Sequence, residues 1–167
     1  MKQPAGHHLA EFNFGVLKHD WDDPRVADFS NNLDMVNGVA ARSDGFVWRL
    51  SDEDMDAAQN DPDGPMGANP RLASTLSVWR DAQSLLTFVF NTVHKQFYAR
   101  RKEWYGPTDS GNLVLWWVPI GERPTFADGV ARHRHWMSHG DTDYAFGWKL
   151  LPEAKSWDSR RCDAPNT

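Results

Sequence analysis

Residues 112–119 read NLVLWWVP. As a strand from Asn112 to Val118, this stretch puts Leu113, Leu115 and Trp117 on one face and Val114, Trp116 and Val118 on the other. A strand that is apolar on both faces must be covered on both. The cover comes either from helices on two sides or from a second subunit, and that choice decides the architecture.

The flanking segments supply the partners of this strand. His8 to Val16, HLAEFNFGV, alternates Phe12, Phe14 and Val16 on one side with Glu11 and Asn13 on the other, the pattern of a half-buried strand. Asp23 and Pro24 open a helix as N-cap and first helical residue, and Val26, Phe29, Leu33 and Val36 continue it at helical spacing. Phe46 to Leu50 is a second strand and Leu72 to Trp79 a third. Between them, residues 51–70 (SDEDMDAAQNDPDGPMGANP) are acidic, rich in Pro and Gly, and aperiodic, which reads as a long loop excursion. Asp81 caps a second helix from Ala82 to about Trp104. Thr125 and Asp128 form a capping box for a third helix that ends before Gly140. Tyr144 to Trp148 is a fifth strand.

This order, β-α-β-β-α-β with an added α-β, predicts an α+β fold: a ferredoxin-like antiparallel sheet with helices on one face. One sheet face is then left for the third helix or another subunit, and the two-faced strand favours a homodimer whose sheets close on each other. The domain is expected to span residues 1–148, with residues 149–167 as a polar tail.

Composition narrows the function. The chain has 167 residues, a net charge of −5 and a sequence pI near 5.7, which argues against nucleic-acid binding. No apolar run approaches the roughly 20 residues of a membrane span, and the N-terminal MKQPAGHHLAEF lacks the apolar core of a signal peptide. The single cysteine, Cys162, has no partner for an internal disulfide, so a cytoplasmic protein is expected. Nine tryptophans suit a core, an interface or a pocket for flat ligands.

Residues 88–100, FVFNTVHKQFYAR, hold a lone histidine among apolar neighbours. At about 100° per residue, Leu85, Val89, Val93 and Phe97 form the buried stripe, with Phe90, His94, Tyr98 and Arg101 along its flank. His94 there is either a boundary packing residue or a group at the rim of a pocket. In a pocket it would act as general base or ligate a haem iron. On the third helix His133 takes a position where leucine is expected, as a core histidine or a second pocket residue. His135 and His139, four apart, and the alternating Asp52, Asp54 and Asp56 are read as solvated rather than as metal or calcium sites. There is no phosphate loop, nucleophile elbow or paired-cysteine motif.

The segments HLAEFNF, DDPRVADF, GFVWRL, LSVWRDAQSLLTFVFNTVH, RKEW and LVLWWVPIGERPT resemble an uncharacterised family in the dimeric α/β-barrel superfamily. That superfamily also contains antibiotic-biosynthesis monooxygenases and small haem-degrading enzymes. The resemblance runs from about His8 to Trp148, omitting most of the 51–70 loop. It implies an aromatic-lined pocket between the sheet and the helices. The haem-degrading relatives use a histidine on the second helix and an asparagine on the first strand, where Asn13 is the counterpart. His94 falls about one helical turn before the expected ligand position, which Tyr98 occupies instead.

The expected function is therefore a small-molecule enzyme of secondary metabolism without an obligatory cofactor. It would act by proton abstraction on an aromatic or polyketide-like substrate, as a monooxygenase or as an isomerase or cyclase. His94 would move the proton, aided by Asn13, Arg101 and Tyr98. Trp48, Trp79, Phe90, Trp116 and His133 would hold the substrate. The alternatives are a haem protein with His94 as axial ligand, and a non-catalytic binding or dimerisation module.

Overall fold

The computed structural model describes residues 1–106 and 112–154. Four strands, β1 (His7–Val16), β2 (Phe46–Arg49), β3 (Leu72–Trp79) and β4 (Leu113–Pro119), form one antiparallel sheet in the order β2-β3-β1-β4. That order is consistent with the ferredoxin-like plan. The strands are joined or flanked by α1 (Ala27–Ser30), α2 (Leu33–Arg42), α3 (Asp52–Asn60), α4 (Ala82–Asn91), α5 (His94–Trp104) and α6 (Phe126–His139).

The alternation in β1 divides the core. On the Phe12 face, Ala10 and Phe12 pack with Leu76, Val78, Val114 and Trp116 beneath Met55 of α3 and Phe126 and Val130 of α6. On the Glu11 face, Leu9, Trp79 and Leu115 pack beneath Ala40 of α2 and Leu85, Phe88 and Val89 of α4. Helices thus cover both faces of the sheet, not one. The face expected to await a partner sheet carries α3 and α6 of the same chain. Gly129 lets α6 approach closely, since a Cβ there would meet Phe12 Cγ at 2.6 Å.

Four segments differ from expectation. Residues 51–70 are not wholly loop: Ser51 accepts from the Asp54 amide at 3.1 Å and starts α3. Asp52, Glu53 and Asp54 then lie in its first turn, where the helix dipole favours carboxylates. The helix expected from Ala82 to Trp104 breaks at Thr92, which is extended; its hydroxyl donates to Phe88 O at 2.6 Å and accepts from His94 N at 3.2 Å. The helix expected after Pro24 is a short 3₁₀ turn (Pro24–Val26), then α1 and α2. The fifth strand reduces to one bridge, Leu115 to Phe146, closed by bonds of 2.8 and 2.9 Å. Beyond it Leu151 is fully buried against the Glu11 face, and residues 155–167 of the expected polar tail lie outside the described residues. Trp157 and Cys162 lie outside the described residues.

Candidate functional site

The Glu11 face is not uniformly apolar. At one end Leu9 and Trp79 belong to the cluster under α2 and α4. At the other, Ala73 joins Leu17, Val26 and Trp104, with Phe29 and Tyr105 packed on them. Gly15 makes room there, since a Cβ on it would meet the Tyr105 ring at 2.5 Å. Between the clusters the cross-strand pairs are Glu11 with Ser77 and Asn13 with Thr75. On this polar floor Thr75 is exposed, although β3 is an inner strand, and Asn13 and Ser77 are half-buried. The floor is therefore open to solvent at Thr75, and the gap between the two clusters is termed the trough. Phe29 packs in one cluster and Val36 in the other, so the α1–α2 junction links the trough's two walls.

Glu11 lies at the bottom, 4% exposed. Its Oε1 accepts from Asn13 Nδ2, and its Oε2 accepts from Ser77 Oγ at 2.9 Å. Trp79 Nε1 donates to Ser77 Oγ at 2.9 Å, so the serine hydrogen is directed at the carboxylate. Both donors to the carboxyl, Asn13 and Ser77, favour its ionised form. Burial opposes them and dominates, pushing the carboxyl from 4.5 up to about 7. A carboxyl balanced near neutrality can both take and return a proton.

The residues expected to form a site occupy three places. Asn13 and Trp79 belong to the Glu11 relay; Trp79 also stacks on Phe88 at 5.1 Å between ring centroids. His94 begins α5 instead of lying mid-helix. Its Nδ1 is 3.3 Å from Val89 O, and its ring packs 4.9 Å from Phe88 and 6.3 Å from Tyr98. Burial lowers its pKa against the pull of the Val89 carbonyl. Phe90 meets Tyr98 edge-on at 5.9 Å, while the Arg101 guanidinium stacks on Tyr98 at 4.2 Å and donates to its carbonyl at 2.7 Å. Arg101 is thus engaged with its own helix, and the Asn13 carboxamide with Glu11.

The third place is the Phe12 face. Trp116 is buried there with Arg132 over its ring at 5.0 Å, and Trp48 is half-buried. His133 lies edge-on to Phe14 at 4.8 Å. The single aromatic box expected from Trp48, Trp79, Trp116 and Phe90 is thus divided by the sheet itself. His135 and His139 stack at 4.3 Å, and Asp52 is paired with Arg49. Among the described residues no three His, Cys, Asp or Glu side chains gather as a metal-binding group. Nor is any described helix long and apolar enough to cross a membrane.

Glu11 was the residue that sequence reasoning passed over, as one of the polar alternates of a half-buried strand. The signal was Leu9, which shares its face: an apolar residue two positions away marks that face as covered.

No curated protein is recognisably similar in sequence. One solved structure, of a protein of unknown function from Nitrosomonas europaea, is similar over 73% of this chain and 97% of its own, at 10% identity and a TM-score of 0.44. A family model described as a domain of unknown function, DUF3291, matches residues 8–162, and the chain belongs to that family.

Proposed function

We propose that the trough over Glu11 is a small-molecule site and that Glu11 is its general base. The reading keeps the reaction class expected from the sequence, proton abstraction from an aromatic or polyketide-like carbon acid, and moves the base from His94 to Glu11. In the step, the substrate C–H bond breaks, its electron pair passes to the neighbouring carbonyl as an enolate, and the proton goes to the Glu11 carboxylate. Returning the proton at another carbon completes an isomerisation, and attack of the carbanion on a second carbonyl a cyclisation. With dioxygen as oxidant the carbanion is oxygenated and water leaves. Kinship with the antibiotic-biosynthesis monooxygenases belongs to this proposal.

The observation that supports it is a carboxyl buried near an exposed threonine, accepting from Asn13 and from a Ser77 hydroxyl held by Trp79, and pushed by burial up to about 7. A group held this way is expensive to a fold and useful to acid–base chemistry. No comparable observation favours haem ligation by His94.

The test is solvent deuterium exchange followed by NMR. Benzoylacetone and related aromatic diketones are incubated in D₂O with the wild type and with Glu11→Gln. Exchange at the activated carbon should be accelerated by the wild type and fall by about 100-fold or more in the variant. Equal rates in the two proteins would overturn the base assignment. Binding without exchange in either protein would favour a non-catalytic module.

A further inference from the structure

Across β1 to β4 the sequence places one acidic side chain, Glu11, and one Lys or Arg side chain, Arg49. Both belong to the same row of the sheet. Ser77 pairs with Glu11 on one side and with Arg49 on the other, and directly opposed residues share a face. Arg49 and Glu11 are thus two strand spacings apart, about 10 Å at the backbone. They are not paired with each other. Arg49 holds Asp52 through two bonds of 2.7 Å, and its side chain is 28% exposed while that of Asp52 is 65% exposed. Asn37 of α2 also donates to Asp52, at 3.3 Å.

We propose that Arg49 receives a carboxylate on the substrate, so that the substrate class is an anionic carbon acid lying across Ser77 between Arg49 and Glu11. The inference rests on the reading of Glu11 as the base and names what that base works on. The planar fork of Arg49 matches a carboxylate with two parallel bonds, which it already makes to Asp52. An exposed ion pair of this kind contributes only about 0–1 kcal/mol, so an incoming carboxylate exchanges for Asp52 at little cost. Asp52 is then a stand-in that holds the guanidinium in place until substrate arrives. Neither partner is needed to start α3, because Ser51 makes its cap.

The test compares phenylpyruvate with its methyl ester, two carbon acids that differ in the anion. Dissociation constants are measured by calorimetry or NMR titration for the wild type, Arg49→Gln, Asp52→Asn and Glu11→Gln. The wild type should prefer the acid by about tenfold or more. Arg49→Gln should lose that preference, with little change for the ester. Asp52→Asn, which removes the competitor, should bind the acid about three- to tenfold more tightly than the wild type. Glu11→Gln should keep the preference while losing proton exchange. A preference that survives in Arg49→Gln overturns the proposal, as does the lack of saturable binding of phenylpyruvate up to about 10 mM. Loss of exchange without loss of preference leaves Arg49 assigned. If the wild type keeps the preference but catalyses no exchange, the failure lies in the Glu11 reading alone.

Discussion

The two faces of the sheet come from the same strands and bury different things. The Phe12 face sets apolar side chains of β1, β3 and β4 against α3 and α6. The Glu11 face is apolar at both ends, but its middle holds a carboxyl, a serine and an arginine in one row. Burying the Glu11 carboxyl costs stability that apolar burial on the other face does not. The contrast separates a face that only holds the fold from a face with a polar row, to which we assign the proposed chemistry.

Substitutions on the two faces should therefore behave differently. The largest effect is expected from Phe12→Ala, which empties the fully buried centre of the Phe12 face. It should lose about 3–5 kcal/mol in denaturant unfolding. A loss below about 1 kcal/mol would break the comparison.

On the other face the effect depends on pH. The folded-state pKa of Glu11 is raised, so the folded protein binds its proton more tightly than the unfolded chain does. Stability is then full below about 4.5 and falls as pH rises toward about 7. The decline attributable to Glu11 is about 3 kcal/mol, and it should be absent from the profile of Glu11→Gln, so that the difference between the two proteins changes over this pH range. Profiles that run parallel for the two proteins would remove the basis for the site.

Gly129→Ala sharpens the packing side of the contrast, because its Cβ would enter the Phe12 ring. It should cost about 1–3 kcal/mol without altering binding in the trough. The smallest effect is expected at His94, which packs half-buried between Phe88 and Tyr98. His94→Ala should lose about 1 kcal/mol and leave deuterium exchange at the wild-type rate. Loss of exchange there would return the base to the histidine.

Much of the fold was legible where one local signal dominates. β3 runs from Leu72 to Trp79 as expected, and α6 lies between the Thr125 cap and Gly140. The two-faced pattern of β4 correctly demanded cover on both sides. The signals failed where they competed. In residues 51–70 the acidic and proline-rich composition hid a helix that uses Ser51 as cap and buries Met55 and Gln59 one turn apart. Between Asn91 and His94 the helical period continued through a turn made by the Thr92 hydroxyl, so one expected stripe is divided between two clusters, Leu85 and Val89 in one and Phe97 and Trp104 in the other.

The site was less legible than the fold because it depends on register. Glu11, Ser77 and Arg49 are far apart in sequence and meet only through strand pairing. Ser77 and Arg49 carry no local mark of function. Asn13 was identified from the resemblance, but its partner is Glu11 and not the histidine it was matched with.

The central claim concerns one carboxyl, and its titration can be observed directly. Infrared difference spectra between the wild type and Glu11→Gln, recorded from about pH 4 to 9, isolate the Glu11 carboxylate band. The band should reach half its intensity near pH 7, and the protonated carbonyl band should fall in step. A midpoint at 4.5, the ordinary value for glutamate, would mean that the floor of the trough is wet and that Glu11 is no base.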